Sequence, residues 1–218
     1  MNKMQLKFDL KKDLLHLFAT PLGRFSLDSS KEVTAKIAEV ILAKEAADPG
    51  IRRSNKGGWH SEDNLLDWPE LEFADLEKTF RNVIHKMIAV TSQHKRFRAD
   101  ILLKAWANVN RPGCFNSAHV HPENQWSGVF YVKTADFSED PIHRAGYIEL
   151  HDPRGPIQML SNPSSQPDKV GIAPSEGGIL VFPSWLFHSV NAFSIDVARI
   201  SIAFNARIEH FEAVPDKD

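Results

Sequence analysis

The stretch GGILVFPSWLFHSVNAFSIDVARISIAFNARI, residues 177–208, decides the fold class. It holds two runs, GGILVFPSW and ARISIAFNARI, rich in the β-branched and aromatic residues that suit strands. Successive strand side chains point to opposite faces, so Arg199, Ser201, Ala203 and Asn205 share one face and Ile200, Ile202 and Phe204 the other. One face is polar and the other is made for a core. Three upstream runs have the same character: ILLKAWANVN (101–110), WSGVFYVKT (126–134) and AGYIELHD (145–152). Five such runs with no helices alternating between them predict a curled antiparallel barrel or jelly roll and not a parallel sheet.

Upstream of these runs the period changes. Leu17 to Leu27 alternates weakly around Pro21 and Gly23, as a short strand or extended arm would. From Ser30 to Ala47, Val33, Ile37, Val40, Ile41 and Leu42 recur at helical spacing, with Asp28, Ser29 and Ser30 as caps and Asp48, Pro49 and Gly50 as the stop. SNKGGWHSEDNLLDWPELE (54–72) is rich in turn formers and predicts a long loop anchored by its two tryptophans. A second helix is expected over Ala74–Ser92, with Leu76, Phe80, Val83, Ile84, Met87, Ile88 and Val90 as its apolar stripe. The basic run His94–Arg98 after it complements the helix dipole. The expected class is therefore α+β, mainly β: a jelly roll with N-terminal helices packed on it. One domain, 1–218, is expected, with a mainly helical front over 1–96 and the jelly-roll core over 97–211.

Composition narrows the function. With 26 Lys and Arg against 28 Asp and Glu, the chain has no net positive field to draw a nucleic acid backbone or an anionic membrane. The single cysteine, Cys114, excludes an internal disulfide, and the start MNKMQLKFDLKKDLLHLF lacks the apolar core of a secretory signal. No stretch approaches the roughly 20 apolar residues of a membrane-spanning helix. The expectation is a soluble cytoplasmic protein without internal repeats.

The chemistry concentrates in four residues. In AHVHP (118–122), His119 and His121 stand two apart, so on an extended strand both rings leave the same face and can converge on one ion. His188 follows GGILVFPSWLF and emerges at a strand end, where it offers a third ligand. Three imidazoles, or two and a carboxylate, leave positions open on a six-coordinate first-row metal for a chelating cosubstrate and oxygen. Iron(II) fits that need, while zinc with water accepts the same three rings. Glu123 is the nearest carboxylate and is expected in solvent. Arg199, eleven residues past His188, can hold a carboxylate by two parallel hydrogen bonds, and Ser201 on the same strand face can add another. The alternative partner for Arg199 is Asp196.

NVNRPGCFNSAHVHPENQWSGVFYV (108–132), followed by residues 177–205, resembles the iron(II)- and 2-oxoglutarate-dependent oxygenase superfamily. It is most similar to a family of bacterial and phage oxygenases with an H-x-H…H pattern. The resemblance covers about residues 105–207, and GGWHS (57–61) has the look of that family. It implies a double-stranded β-helix in which His119 and His188 take the places of the first and distal histidines. Arg199 takes that of the residue binding the far carboxylate of 2-oxoglutarate. His121 stands where the wider superfamily has Asp or Glu, one negative charge fewer, although the closer family shares H-x-H. Asn108 and Asn110 precede His119 at a spacing similar to that of cosubstrate-binding side chains in nucleic acid dealkylating members, whereas Tyr131 is read as packing.

The implied cofactors are Fe(II), 2-oxoglutarate and molecular oxygen. The implied reaction couples decarboxylation to succinate with removal of hydrogen from a substrate, commonly ending in hydroxylation. Trp126, Trp185, Phe130 and Phe187 are candidates for its enclosure, and Arg154 for a substrate contact. A small molecule or peptide is the expected substrate, and a homodimer through strand edges and the N-terminal helices is left open. A cupin-type dioxygenase or isomerase is the alternative enzyme, since Gly113 before His119-Val-His121 and Gly177 before His188 resemble the cupin motifs. Gln125, however, replaces the expected glutamate. From another class, a non-catalytic metal-binding jelly roll would need neither Arg199 nor oxygen.

Overall fold

The alternation at Arg199–Asn205 organises the whole molecule. The computed structural model describes residues 9, 18–27, 31–92, 94, 96–154 and 168–215. Its elements are β1 (Gly23–Ser26), α1 (Lys31–Ala47), β2 (Asn55–Lys56), β3 (Trp59–His60), a 3-10 turn at Leu65–Asp67, and α2 (Leu71–Thr91). Then come β4 (Phe97–Asn110), β5 (Phe115–His119), β6 (Trp126–Lys133), β7 (Ile148–His151), β8 (Lys169–Ile172), β9 (Gly178–Pro183), β10 (His188–Val190) and β11 (Arg199–Ala213). They form a six-stranded sheet in the order β1-β9-β6-β11-β4-β3 and a five-stranded sheet in the order β2-β5-β10-β7-β8. Every pairing of these strands is antiparallel. Among the described residues the protein is thus mostly β, with two helices.

The larger sheet is buried on both faces, and period two decides which residue goes where. Ile200, Ile202 and Phe204 of β11 and Phe130 and Val132 of β6 join one apolar cluster with Ile37 and Ile41 of α1 and Phe73, Leu76, Phe80 and Ile84 of α2. Phe80 stacks on Phe204 at 4.1 Å between ring centroids. Gly128 permits that stack, because a Cβ there would overlap the Phe204 ring and lie 2.8 Å from the Leu180 carbonyl oxygen. The alternate residues, Val129 and Tyr131 of β6 and Leu180 and Phe182 of β9, pack instead with Ile148, Leu150 and Ile172 of the smaller sheet. Burying one such aromatic or aliphatic side chain contributes about 1.5–3 kcal/mol.

Both helices lie where periodicity puts them, with local corrections. Leu17 and the expected caps at 28–30 lie outside the described residues, as does Lys95 of the basic run. Val33 and Val90 are exposed, Val90 at 79%, so each is a surface member of its expected stripe. The second helix begins earlier, at Leu71, which draws Phe73 into the core. The basic run already belongs partly to β4, where Arg98 lies opposite Glu212 of β11. The segment 54–72 is less of a loop than its composition suggests. Asn55–Lys56 pairs with β5 and Trp59–His60 with β4, while Gly57, at φ +81°, makes the turn between them. Its tryptophans do anchor it: Trp59 Nε1 donates to the Asp48 carbonyl at 2.8 Å, and Trp68 packs edge-on against Phe73. Among the described residues no helix is long and apolar enough to cross a membrane.

Candidate metal centre

His119 and His188 are direct cross-strand partners where β5 meets β10. Residues opposite one another on antiparallel strands have neighbouring side chains, so this register alone brings the two rings together. His121 lies just past β5, where its backbone N–H donates to the Ser184 carbonyl at 3.0 Å and so fastens it to the turn before β10. The ligand-capable nitrogens of the three residues lie within 4.8 Å of one another. The ring centroids are 4.9 Å apart for His119–His121, 4.3 Å for His119–His188 and 5.2 Å for His121–His188.

Backbone carbonyls set the tautomers. His119 Nδ1 lies 2.7 Å from the Ser117 carbonyl oxygen, and His188 Nδ1 lies 2.8 Å from that of Leu186. A carbonyl only accepts, so each Nδ1 carries the hydrogen and each neutral ring keeps its lone pair on Nε2. Burial, reinforced by the neighbouring imidazoles, pushes His121 down to about 3 and His188 to about 4. Burial also lowers His119. These are rings held neutral and ready to donate to a cation, the state a metal requires. Glu123 is exposed at φ 67° and offers the cluster no carboxylate.

A cavity runs from this cluster to Arg199. Arg199 is only 2% exposed, and among the described residues its one hydrogen bond is a long contact from Nη1 to Ser201 Oγ at 3.5 Å. Among the described residues, Arg199 Nε and the Tyr131 hydroxyl meet no hydrogen-bond partner at full geometry, although the two side chains interact, with the guanidinium carbon 5.2 Å from the Tyr131 ring centroid. Burial presses the arginine down from its ordinary value and raises the tyrosine, which keeps the phenol a donor. Buried cations without partners are costly, so this pair of unused donors points to an anionic ligand.

The antiparallel register of β4 and β11 sets Asn108 opposite Ser201 and Asn110 opposite Arg199. Asn108 and Ser201 line the cavity, whereas Asn110 does not. The Asn110 amide exchanges hydrogen bonds with Asn55 at 3.3 Å in both directions. Asp196 is not the partner of Arg199. Of the aromatics expected to enclose the site, Trp126 and Phe130 lie in the helix-side core, while Trp185 and Phe187 are 55% and 45% exposed. Trp106, Tyr131 and Phe182 are the aromatic walls instead. Arg154 is engaged by Asp152 in its own turn, with Nε 2.9 Å from Oδ1.

Further contributors lie outside the residues singled out from the sequence. Ser54, whose Oγ lies 3.3 Å from His119 Nε2, and Asn55 come from the segment read as loop. Tyr131 was read as packing. A buried chain of hydrogen bonds, Ser184 to Ser127 at 2.8 Å and Ser127 to Asn205 Oδ1 at 2.7 Å, supports the turn that holds His121. A polar side chain recurring on a strand otherwise destined for the interior was the available signal, at Ser127, Tyr131 and Asn205 alike.

Comparison with known proteins gives one family match and likenesses of fold. Residues 104–205 match the family described as "Putative 2OG-Fe(II) oxygenase". A prolyl-4-hydroxylase structure from Pseudomonas putida aligns with 88% of this chain and 94% of its own at 14% identity and a TM-score of 0.60. A prolyl hydroxylase from Trichoplax adhaerens, solved with a peptide fragment of the hypoxia inducible factor oxygen degradation domain, aligns over 86% and 84% at 11% identity and TM-score 0.62. HygX from Streptomyces hygroscopicus, solved with nickel and 2-oxoglutarate, aligns over 86% and 83% at 11% identity and TM-score 0.57. At such identities the likeness is one of fold. No curated protein sequence matches the chain.

Proposed function

From the match of residues 104–205 to the 2OG-Fe(II) oxygenase family, we propose that His119, His121 and His188 hold the iron and that Arg199 holds the far carboxylate of 2-oxoglutarate. The chain is an iron(II)- and 2-oxoglutarate-dependent oxygenase of unspecified substrate, with molecular oxygen as co-reactant. The two facing antiparallel sheets are read as a double-stranded β-helix, with the helices covering the outer face of the larger one. Residues 1–218 are read as one domain whose core spans 97–211.

The observation that carries the assignment of roles is the buried Arg199 with its unpartnered Nε, beside an unpartnered Tyr131 hydroxyl, in the cavity that ends at the three histidines. The donor set suits a dicarboxylate: one end would be held at the metal while the other would accept from the guanidinium, Ser201 and Tyr131. Asn108 lines the same cavity and can add a polar contact. When bound, iron and 2-oxoglutarate supply oxygen activation through decarboxylation to succinate; the chain supplies geometry and a dry enclosure. The Ser117 and Leu186 carbonyls fix the ring tautomers, and Trp106, Tyr131 and Phe182 keep bulk water from the reacting centre. A cupin-type or purely metal-binding reading leaves the buried Arg199 without a role. Gln125, at the place of the cupin glutamate, is turned away to accept from the Ile208 N–H at 2.7 Å.

Full-length protein loaded with iron(II) without oxygen should develop a weak visible charge-transfer band on addition of 2-oxoglutarate. Admission of oxygen should then yield succinate. No band at saturating cosubstrate would dismiss the proposed chelation.

A further inference from the structure

A second chamber, about 310 Å³ in volume, meets the same rings. It shares Ser54, Trp106, His119 and His121 with the Arg199 cavity, but neither Arg199 nor Ser201 lines it. That volume is near the lower end of small-molecule sites, which run to about 1,000 Å³. Ile51 and Val120 give it an apolar wall together with Trp106. The Trp106 ring stands between His60, stacked at 5.6 Å and 10°, and His121, at 5.6 Å and 51°, so a molecule lying against it is beside the histidine cluster.

The charges around this chamber are unequal. Asp63 is already engaged by Lys104, with Nζ 3.1 Å from Oδ2. Arg53 is exposed and makes no side-chain hydrogen bond or ion pair with the described residues. Its charge still reaches His60, adding to the burial that lowers that ring. Lys56 Nζ donates to the Arg53 carbonyl at 3.2 Å, which places a second cation close by. The His60 Nδ1 hydrogen is given to the Ser61 carbonyl, leaving Nε2 as an acceptor. An open guanidinium over an apolar wall selects an amphipathic anion.

Resting on the oxygenase reading above, we propose that this chamber binds the primary substrate and that Arg53 selects a small molecule bearing a carboxylate or phosphate, its apolar body lying along Ile51, Val120 and Trp106.

The test is calorimetry on the full chain, loaded with iron(II) and saturated with 2-oxoglutarate in the absence of oxygen. The probes are matched pairs: hexanoate with hexanamide, phenylacetate with phenylacetamide, and phenyl phosphate with phenol. The acids, or the phosphate, should bind about fivefold or more tighter than their neutral partners, as a charge-assisted contact allows. Arg53→Gln should bring each pair to within about twofold. A preference restricted to carboxylates or to phosphate supports the assignment and identifies the source of the anion. Equal affinities within every pair, no binding by any anionic probe, or a preference that survives Arg53→Gln overturns it. The charge-transfer band, recorded on the same samples before the probes are added, keeps the two readings apart. Its absence strikes the metal and cosubstrate assignment, whereas a normal band without an anion preference strikes the chamber alone, and the probe comparison is scored in either case.

Discussion

A guanidinium with an unused donor in the interior works against the resting protein. Arg199 gives up water for one 3.5 Å contact with Ser201 and a place near the Tyr131 ring, so its burial is destabilising until an anion arrives. Ligand affinity and resting stability should therefore move in opposite directions on substitution. Arg199→Met keeps much of the volume and removes the charge. It should weaken 2-oxoglutarate binding by about 2–5 kcal/mol, since the ligand carboxylate would be buried without its partner. The melting temperature of the ligand-free protein should hold or rise. Calorimetric titration and thermal unfolding on the same preparation check both halves; an unchanged dissociation constant removes Arg199 from the cosubstrate site. His121 adds a different constraint at this scale. It supplies a neutral ligand where a carboxylate would carry a negative charge, so the site keeps one more positive charge for anions to answer.

At the scale of elements, the site is built where short strands meet. β5 and β10 bring His119 and His188 into register, but His121 lies beyond the ladder and depends on the Ser184 carbonyl in the turn between β9 and β10. That turn is braced by the buried chain from Ser184 through Ser127 to Asn205. Ser127→Ala leaves two buried polar groups short of a partner, a loss of about 1–3 kcal/mol in stability. Because the strain falls on the turn that fixes His121, iron affinity should drop by about tenfold, as for other groups that orient metal ligands. Urea unfolding measures the first effect and metal competition the second. A variant destabilised with unchanged metal affinity would make the chain a packing feature only. Short elements also mark where the sequence was hard to read. β11 was legible because its two faces differ chemically: Ile200, Ile202 and Phe204 against Arg199, Ser201 and Asn205. β6 is legible as a strand, but its two faces are not, because both are buried, so Tyr131 among Val129, Phe130 and Val132 looks like packing although it lines the site. β2 and β3 are two residues each and exist through pairing with β5 and β4, a long-range cause that turn-rich local composition hides. A Cβ on Gly58 would come within 2.7 Å of both the Asn55 side chain and the Val109 carbonyl, so the glycines that read as loop are what allow this close pairing.

Over the whole molecule, the metal site is linked to stability through protons. His60, His119, His121, His151 and His188 are all lowered, with burial the leading cause for each. A histidine lowered in the folded state takes up its proton later than the same histidine in the unfolded chain. As pH falls below about 6.5, the unfolded state binds protons that the folded state refuses, and stability is lost. The contribution is fully present above pH 6.5 and drains away until about pH 4 for His188 and about pH 3 for His121. His121 and His188, while still held neutral, each add a slope of up to about 1.4 kcal/mol per pH unit, the more exposed His151 much less, while ordinary carboxylates add little between pH 6.5 and 5. The urea midpoint of metal-free protein should therefore decline steadily across that window. Substituting His121→Asn and His188→Asn together should flatten the decline, because two of the five titrating rings are gone. Iron(II) present in excess should deepen the pH dependence of the wild type, since protons then compete with a bound ion as well as with burial. A midpoint independent of pH from 6.5 to 5 would mean that the rings are solvated and free to protonate, and the dry, neutral triad would have to be abandoned.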